Sequence, residues 1–378
     1  METISPAKTT LAEVLAAHAA PGQLFRLEDG KVRCVACGHR CLIAPGRHGI
    51  CRVRFNHEGQ LRVPFGYVAA LASDPVEKKP FNHVLPGTDA LTFGMLGCDF
   101  HCAYCQNWVT SQALRDTAAV APIREVSAPQ LVRSAQQTGA RLVVSSYNEP
   151  LITAEWAATV FREAAPAGLL CAFVSNGNAT AEALDFLKPW LRACKIDLKS
   201  FNDRRYRELG GTLEHVCAGI RMVHERGIWL EIVTLLITGF NDDEAELREM
   251  VRFLAGVDRN IPWHVTAFHP DYKMTDVPAT TARQLVRAAE IGVEEGLRFV
   301  YAGNAPGHVG DWENTRCPEC QTTLIERHGY AVRAYRLTPG GRCPHCGAGI
   351  PGIWHPGGAA DVPAGNFYSR VPRRVAIS

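Results

Sequence analysis

Between Ala90 and Asn304 the chain repeats one theme: a short run of Val, Ile, Leu or Phe, a polar turn, then a stretch of helical periodicity. The runs ALTFGML, RLVVSSY, LLCAFVSN, CKIDLKS, IWLEIVTLLI, WHVTAFHP and RFVYAGN read as strands. Between them, SAPQLVRSAQQTG has Ser127 to cap its first turn and Gly139 to end its last, and TAEALDFLKPW follows the capping residue Thr180. Successive βα units need right-handed crossovers, so the strands are expected to lie parallel with helices outside. Six or seven units suit a doubly wound sheet or a partial (β/α)6 barrel. The polar strand ends YNEP, SNGN, DLKS, FHP and AGN favour the barrel, where ligand groups gather at the carboxyl ends of several strands.

The 378 residues divide on this reading into an N-terminal extension (1–89), the βα core (90–311) and a C-terminal module with a Pro/Gly-rich tail (312–378). A formal charge of +2 gives no electrostatic case for nucleic acid or a membrane surface. The most apolar run, from Ile228, is too short for a bilayer and contains Glu231. The opening METISPAKTTLAEVLAAHAAPG lacks a basic segment followed by an apolar core. It reads as an amphipathic helix ending at Pro21 and Gly22, and a cytoplasmic location is expected.

A reducing compartment makes the fourteen cysteines thiols or metal ligands. Cys171, Cys194 and Cys217 stand singly among apolar residues and read as small buried hydrophobes. The rest form three groups. Cys317-x2-Cys320 and Cys343-x2-Cys346 are paired knuckles around strand-like sequence, which favours a zinc ribbon over a rubredoxin-like iron site. Cys34, Cys37, Cys41 and Cys51 supply four more thiolates, with His39 and His48 as substitutes, for structural zinc or an auxiliary iron–sulfur cluster. Cys98-x3-Cys102-x2-Cys105 has three members and no fourth cysteine nearby, directly after the first core strand. Three thiolates around a four-iron cluster leave one iron open, which separates a reactive site from a closed structural one.

CxxxCxxC with Tyr104 before its last cysteine resembles the motif of radical S-adenosylmethionine (SAM) enzymes. The resemblance implies a [4Fe-4S] cluster on Cys98, Cys102 and Cys105, and SAM chelated at the open iron. It also implies reductive cleavage to a 5′-deoxyadenosyl radical that takes hydrogen from a substrate, with flavodoxin or ferredoxin as electron donor. YNEP sits where pyruvate formate-lyase activating enzymes carry Gly-Gly-Glu-Pro, so Glu149 matches the acidic position while Tyr147 and Asn148 replace glycines. SNGN resembles their Thr-Asn-Gly turn, placing Ser175 and Asn176 beside the cofactor. IDLKS matches Asp-Leu-Lys, giving Asp197 and Lys199, and His269 in AFHP matches a cofactor-proximal histidine. The N-terminal cysteine pattern, DPVEKKP, GCDFHCAYCQNW, YNEP, ITGFND and the C-terminal knuckles together resemble the radical enzyme of the AmmeMemoRadiSam system, over residues 31 to 355. That likeness implies an unidentified small-molecule or protein substrate and AmmeMemo-type companion proteins.

Each residue also has a structural reading. Glu149, Asp197 and Lys199 suit strand-end salt bridges; Ser175 and Asn176 suit a turn; His269 suits a satisfied core position. Glu77 to Pro80 read as a solvated turn in preference to an active-site rim, and Trp108 is expected to pack beside the cysteine loop. The competing functions are a glycyl-radical-enzyme activase and a non-catalytic metal-ribbon binding protein.

Overall fold

The computed structural model describes residues 11–119, 121–362, 373–375 and 377. Its core is a sheet whose parallel part comprises β2 (Asp89–Gly94), β3 (Leu142–Ser145), β4 (Leu170–Ser175), β5 (Leu191–Asp197), β6 (Trp229–Leu236), β7 (Trp263–Ala267) and β8 (Val300–Gly303). The strand preceding them, β1 (Ala70–Pro75), pairs antiparallel with β2, and Arg373–Arg374 pairs antiparallel with β1 at the edge. The order follows the chain without the reversal that a doubly wound sheet requires. The sheet therefore extends beyond the expected core: β1 comes from the segment read as N-terminal extension, and the edge pair from the tail.

Helices fill the crossovers: α1 (Ala128–Gln137), α2 (Ala154–Ala164), α3 (Ala181–Leu187), α4 (Asp203–Leu209), α5 (Leu213–Glu225), α6 (Glu244–Val257) and α7 (Ala282–Glu294). Their starts follow from local chemistry. Ser127 and Gln130 form a reciprocal capping box, Thr180 accepts from the Ala183 amide, and Thr281 pairs with Gln284 as Ser127 does. Gly139 takes the left-handed φ of +70° just beyond α1, as its position predicts.

Strand alternation sends Leu91, Phe93, Val143 and Phe173 outward into the main core with the helices. Ala90, Leu142, Val144, Ala172 and Ala193 point the other way, under Val76, Phe81, Val84 and Leu85 from the segment after β1. That segment plugs the amino-terminal end of the inner face and leaves its carboxyl end open. Cys171, Cys194 and Cys217 are buried, as expected.

Two expectations near the amino terminus fall differently. Residues 1–10 of the expected helix lie outside the described residues, and the described part ends at Ala17. Ala19–Pro21 is instead a strand paired with Arg62–Pro64, in which Pro21 is tolerated because this is the edge strand of its sheet. At the other end, residues 363–365 of the expected loose tail lie outside the described residues, whereas Ile353 pairs with Val84 and Trp354 donates to the Ile350 carbonyl at 2.7 Å.

The C-terminal module is an antiparallel sheet of Thr315–Arg316, Thr323–His328 and Ala331–Tyr335. Cys317, Cys320, Cys343 and Cys346 bring their sulfurs within 4.8 Å of one another, with Cys317 3.5 Å from Cys346 and Cys320 3.6 Å from Cys343. A tetrahedral ion with sulfur at about 2.3 Å needs ligand edges of about 3.8 Å, so these four sulfurs are spaced to hold one metal ion. The module's own core is small, eight buried side chains packed with Phe299 and Tyr301 of the βα core, and a metal bound there would add directly to its folding. Cys317→Ala is expected to lower bound metal by about one ion per chain and to loosen this module, read by metal analysis and by amide exchange in residues 315–350.

Candidate active site

A cavity of about 810 Å³ lies over the open carboxyl end of the inner sheet face. Cys102, Tyr104 and Cys105 form one wall, and Asp197, Lys199 and His269 also line it. Lys195, His264 and Tyr301 rise from the sheet, Lys79 comes from the plug segment, and Arg327 to Ala331 of the C-terminal hairpin close the far side.

The cysteine loop begins where β2 ends. Gly97 takes a φ of +94°, and a Cβ there would stand 2.8 Å from Val53, so this turn requires glycine. The Cys98 carbonyl accepts from Arg115 at 2.6 Å, the Ala103 carbonyl accepts from the Lys273 amide at 2.9 Å, and the Cys105 thiol lies 3.2 Å from the Ser111 hydroxyl. Trp108 stacks on Tyr272 with ring centroids 5.1 Å apart, beside the loop as expected. Burial pushes the Cys98 thiol well up, Cys102 to about 11 and Cys105 upward. Without metal these thiols stay protonated, so cluster assembly must displace their protons. Unlike the C-terminal four, these sulfurs are not gathered within 4.8 Å of one another among the described residues. Three thiols from one loop, two of them on the cavity wall, are the donor set that a four-iron cluster with one open iron would take.

Asp197 and Lys199 meet at the end of β5. Burial would raise the Asp197 carboxyl, but the Lys195 and Lys199 ammonium groups hold it below its usual range; burial would lower Lys199, and Asp197 holds it well above. Both stay charged at the cavity wall. His269 is exposed rather than a core residue, and its Nε2 lies 3.0 Å from Gln106 Nε2, so the rim joins the β7 end to the cysteine loop.

Glu149, Ser175 and Asn176 form a buried group behind the loop, outside the cavity lining. Glu149 accepts from the Ser175 hydroxyl at 2.7 Å, the Asn176 amide at 2.7 Å and the Leu151 amide at 3.0 Å. Burial, then the Asp99 charge, pushes its carboxyl up to about 8. Asp99, next to Cys98, accepts from Asn176 Nδ2 at 2.7 Å and Asn178 Nδ2 at 2.9 Å. The SNGN turn is thus both a turn and a tether for two carboxylates. Helix α5 packs on it so closely that a Cβ at Gly219 would come within 2.1 Å of the Gly177 carbonyl oxygen.

Tyr147 carries a φ of +67°, a conformation that glycine adopts without cost and tyrosine does not. This accounts for a glycine in the resembling motif. Here the strain, about 1–2 kcal/mol, is offset by the side chain. The Tyr147 hydroxyl donates to Asp74 at 2.7 Å, and the Lys79 ammonium sits 4.7 Å from the ring centroid. Tyr147→Phe is expected to lose about 1.5–3 kcal/mol of unfolding free energy in denaturant titration, because Asp74 loses a donor in a buried place.

The turn at Glu77 to Pro80 is not solvated. Glu77 and Lys79 are buried, and Asp74 beneath the turn pairs with both Lys78 and Lys79. Burial lowers the Lys79 ammonium to about 8 despite Asp74. These residues line the cavity, so the rim reading applies.

Sequence reasoning missed a further polar chain. His264 lies 2.7 Å from Glu231, which also accepts from the Asn82 and His83 amides at 2.9 and 3.0 Å. The Tyr301 hydroxyl bridges His83 at 2.7 Å and Thr315 at 2.8 Å. The available signal was alternation: Glu231 shares the inner face with Lys195 and Asp197, in a strand otherwise apolar but for Thr234.

The N-terminal set, unlike the C-terminal one, is not drawn within 4.8 Å among the described residues. Cys34, Cys37 and Cys51 are buried and Cys41 half-buried, around a fully buried Arg54–Glu155 ion pair.

The family model of the Radical SAM superfamily matches residues 93–254. An uncharacterized protein of Methanocaldococcus jannaschii is 36% identical over 328 residues, covering 86% of this chain and 96% of its own length. A GTP 3′,8-cyclase of Peptoclostridium acidaminophilum is 28% identical over 156 residues, covering 39% of this chain and 46% of its own. A solved domain of a pyruvate-formate lyase-activating enzyme from Bacteroides vulgatus shares 22% identity over 43% of this chain and 98% of that one, with a TM-score of 0.39.

Proposed function

We propose, from the premise that this chain belongs to the radical SAM superfamily, that it cleaves SAM reductively and removes a hydrogen atom from a small molecule held in the cavity. Cys98, Cys102 and Cys105 would hold the [4Fe-4S] cluster, which with bound SAM supplies a 5′-deoxyadenosyl radical. The observation that carries this reading is the placement of Cys102 and Cys105 on a cavity wall shared with Asp197, Lys199 and His269.

The chain's own residues divide the remaining work. Tyr104, edge-on to Phe240 at 5.6 Å, walls the cluster side from water. Asp197 would accept from ribose hydroxyls, and Lys199 and His269 would donate to anionic or polar edges of the cofactor. Glu149, buried outside the cavity lining, would meet the cofactor ammonium only from behind the cysteine loop, where that charge would hold the carboxylate ionised against its burial. Ser175 and Asn176 orient that carboxylate. The sheet is proposed to curve as a partial (β/α)6 barrel, with residues 1–89, 90–311 and 312–378 as its extension, core and zinc-ribbon module.

A small-molecule substrate is favoured over a glycyl-radical partner because Arg327, His328 and Tyr330 close the cavity on the side away from the cysteines. The AmmeMemoRadiSam assignment, its companion proteins, a flavodoxin or ferredoxin donor and a cytoplasmic site belong to the same proposal. Among the described residues, no helix is long and apolar enough to cross a membrane.

The test is anaerobic loading with iron and sulfide, followed by dithionite and SAM. The expected products are 5′-deoxyadenosine and methionine in equal amounts. A cluster-loaded preparation that forms neither would overturn the proposal.

A further inference from the structure

Away from the cysteines, the cavity holds cations that its own carboxylates do not match one for one. Five lysines and arginines line it, against three carboxylates. Asp74, under the plug segment, pairs with both Lys78 and Lys79, and Asp197 pairs with both Lys195 and Lys199. Each of these carboxylates serves two ammonium groups. The other two lining carboxylates are turned to backbone: Glu77 accepts from the Gly87 amide at 2.7 Å, and Glu313 from the Gly307 and Gly329 amides at 3.2 and 2.8 Å. Glu231, beneath the floor, is taken up by His264, the Trp229 indole and two amides.

Arg327 is joined to no carboxylate among the described residues. Its guanidinium donates to the Thr315 hydroxyl at 2.8 Å and the Asn82 carbonyl at 2.7 Å, both uncharged, and lies 5.9 Å from the Tyr301 ring centroid. The backbone places it there. Strand Thr323–His328 shifts register against Ala331–Tyr335 between Glu326 and Arg327, an irregularity of the kind that re-aims a side chain. Glu326 pairs with Arg336 on the exposed side at 2.7 Å, while Arg327 is buried against the cavity.

The cations gather from three segments. Lys195 stands two residues before Asp197 on the same face of β5, Lys79 comes from the plug, and Asn82, three residues after Lys79, carries the carbonyl that holds Arg327. Lys79, Lys195 and Arg327 are only 4, 5 and 6% exposed, and cations so deep in a protein call for an opposite charge beside them. Burial, opposed by Asp74 and reinforced by the Lys78 and Lys195 charges, lowers Lys79 to about 8. A planar guanidinium fork beside two ammonium groups is suited to carboxylate or phosphate oxygens.

We propose that Arg327, with Lys79 and Lys195, forms an oxyanion subsite, and that the substrate is a small acid whose carboxylate or phosphate group docks there with the rest of the molecule toward the cysteine loop. This rests on the cavity being the substrate site, as proposed above, and adds the class of substrate.

The test is equilibrium binding of inorganic phosphate and of oxalate to the metal-loaded full chain, without SAM and then with it. One saturable site per chain is expected for at least one of the two anions; tighter phosphate assigns a phosphate ester as substrate, tighter oxalate a carboxylic acid. Arg327→Gln should weaken binding about ten- to hundredfold, and Lys195→Gln should weaken it as well. Arg327→Lys, which keeps the charge without the fork, should recover part of the loss, as a merely structural role would not. Arg47→Gln, in a separate groove of about 1270 Å³ outside the cysteine loop, should change nothing. Absence of saturable binding in wild type overturns the proposal whether or not a variant folds. So does binding that survives Arg327→Gln and Lys195→Gln, depends on Arg47, or is displaced by SAM. Binding through Arg327 in a cluster-loaded protein that leaves SAM intact upholds the subsite and counts against the proposed activity alone.

Discussion

Alanine in place of Cys98, Cys102 or Cys105 is expected to lower 5′-deoxyadenosine formation by about a thousandfold or more, with the metal content of the Cys317, Cys320, Cys343 and Cys346 group unchanged. The size follows from the donor set. Only three thiolates are available in this loop, so removing one leaves two, and no nearby side chain substitutes. Asp99 cannot move in, since Asn176 and Asn178 hold both its oxygens. Structural damage should be slight, because the loop's carbonyls are held by the Arg115 guanidinium and the Lys273 amide rather than by sulfur packing. Product quantified by chromatography beside an unchanged unfolding midpoint checks both halves. Near-wild-type turnover in any of the three variants would remove the central site from the chemistry.

The second large effect concerns stability. Arg54→Met is expected to lower the unfolding free energy by about 3–5 kcal/mol, because it strands Glu155 without its cation in a fully buried place. Glu155 makes two bonds of 2.7 Å to Arg54 and accepts from the Gln23 and Leu24 amides at 3.1 and 3.2 Å. The pair therefore ties the cysteine-bearing extension to α2. Burial alone would raise the Glu155 carboxyl, but Arg54 holds it below its ordinary 4.5. A depressed carboxyl pKa adds stability that is complete above 4.5 and disappears as pH falls through the folded value. Wild type should accordingly lose stability in acid more steeply than the Arg54→Met, Glu155→Leu double variant, in which neither charge remains. Equal acid sensitivity of the two proteins in denaturant titrations would refute this account of the pair.

The βα order was legible because it is local. Apolar runs of strand length, capping residues such as Ser127 and Thr180, and Gly139 after α1 act within a few residues of one another. The thiol knuckles were legible for the same reason, since ligand spacing is set by short loops. The choice between a doubly wound and a singly wound sheet turned on strand neighbours, which periodicity does not encode. The solvated reading of Glu77 to Pro80 failed because a charged tetrapeptide gives no sign of Asp74 folding beneath it. His269 was placed correctly at a strand end, yet its exposure follows from the rim loop, not from its neighbours in sequence.

Taken alone, the order of residues indicated which groups are present: three thiols after the first core strand, four more in the N-terminal segment, the paired C-terminal knuckles, and a parallel sheet to carry them. Tertiary structure decided what they face. Asn82 and Glu231 meet across 149 positions and Arg327 reaches the Asn82 carbonyl across 245, so the cavity floor and its closing hairpin exist only once the sheet and the C-terminal module have docked. Short-range geometry is written in propensity and spacing, whereas contacts between distant segments are selected by the burial of many side chains at once.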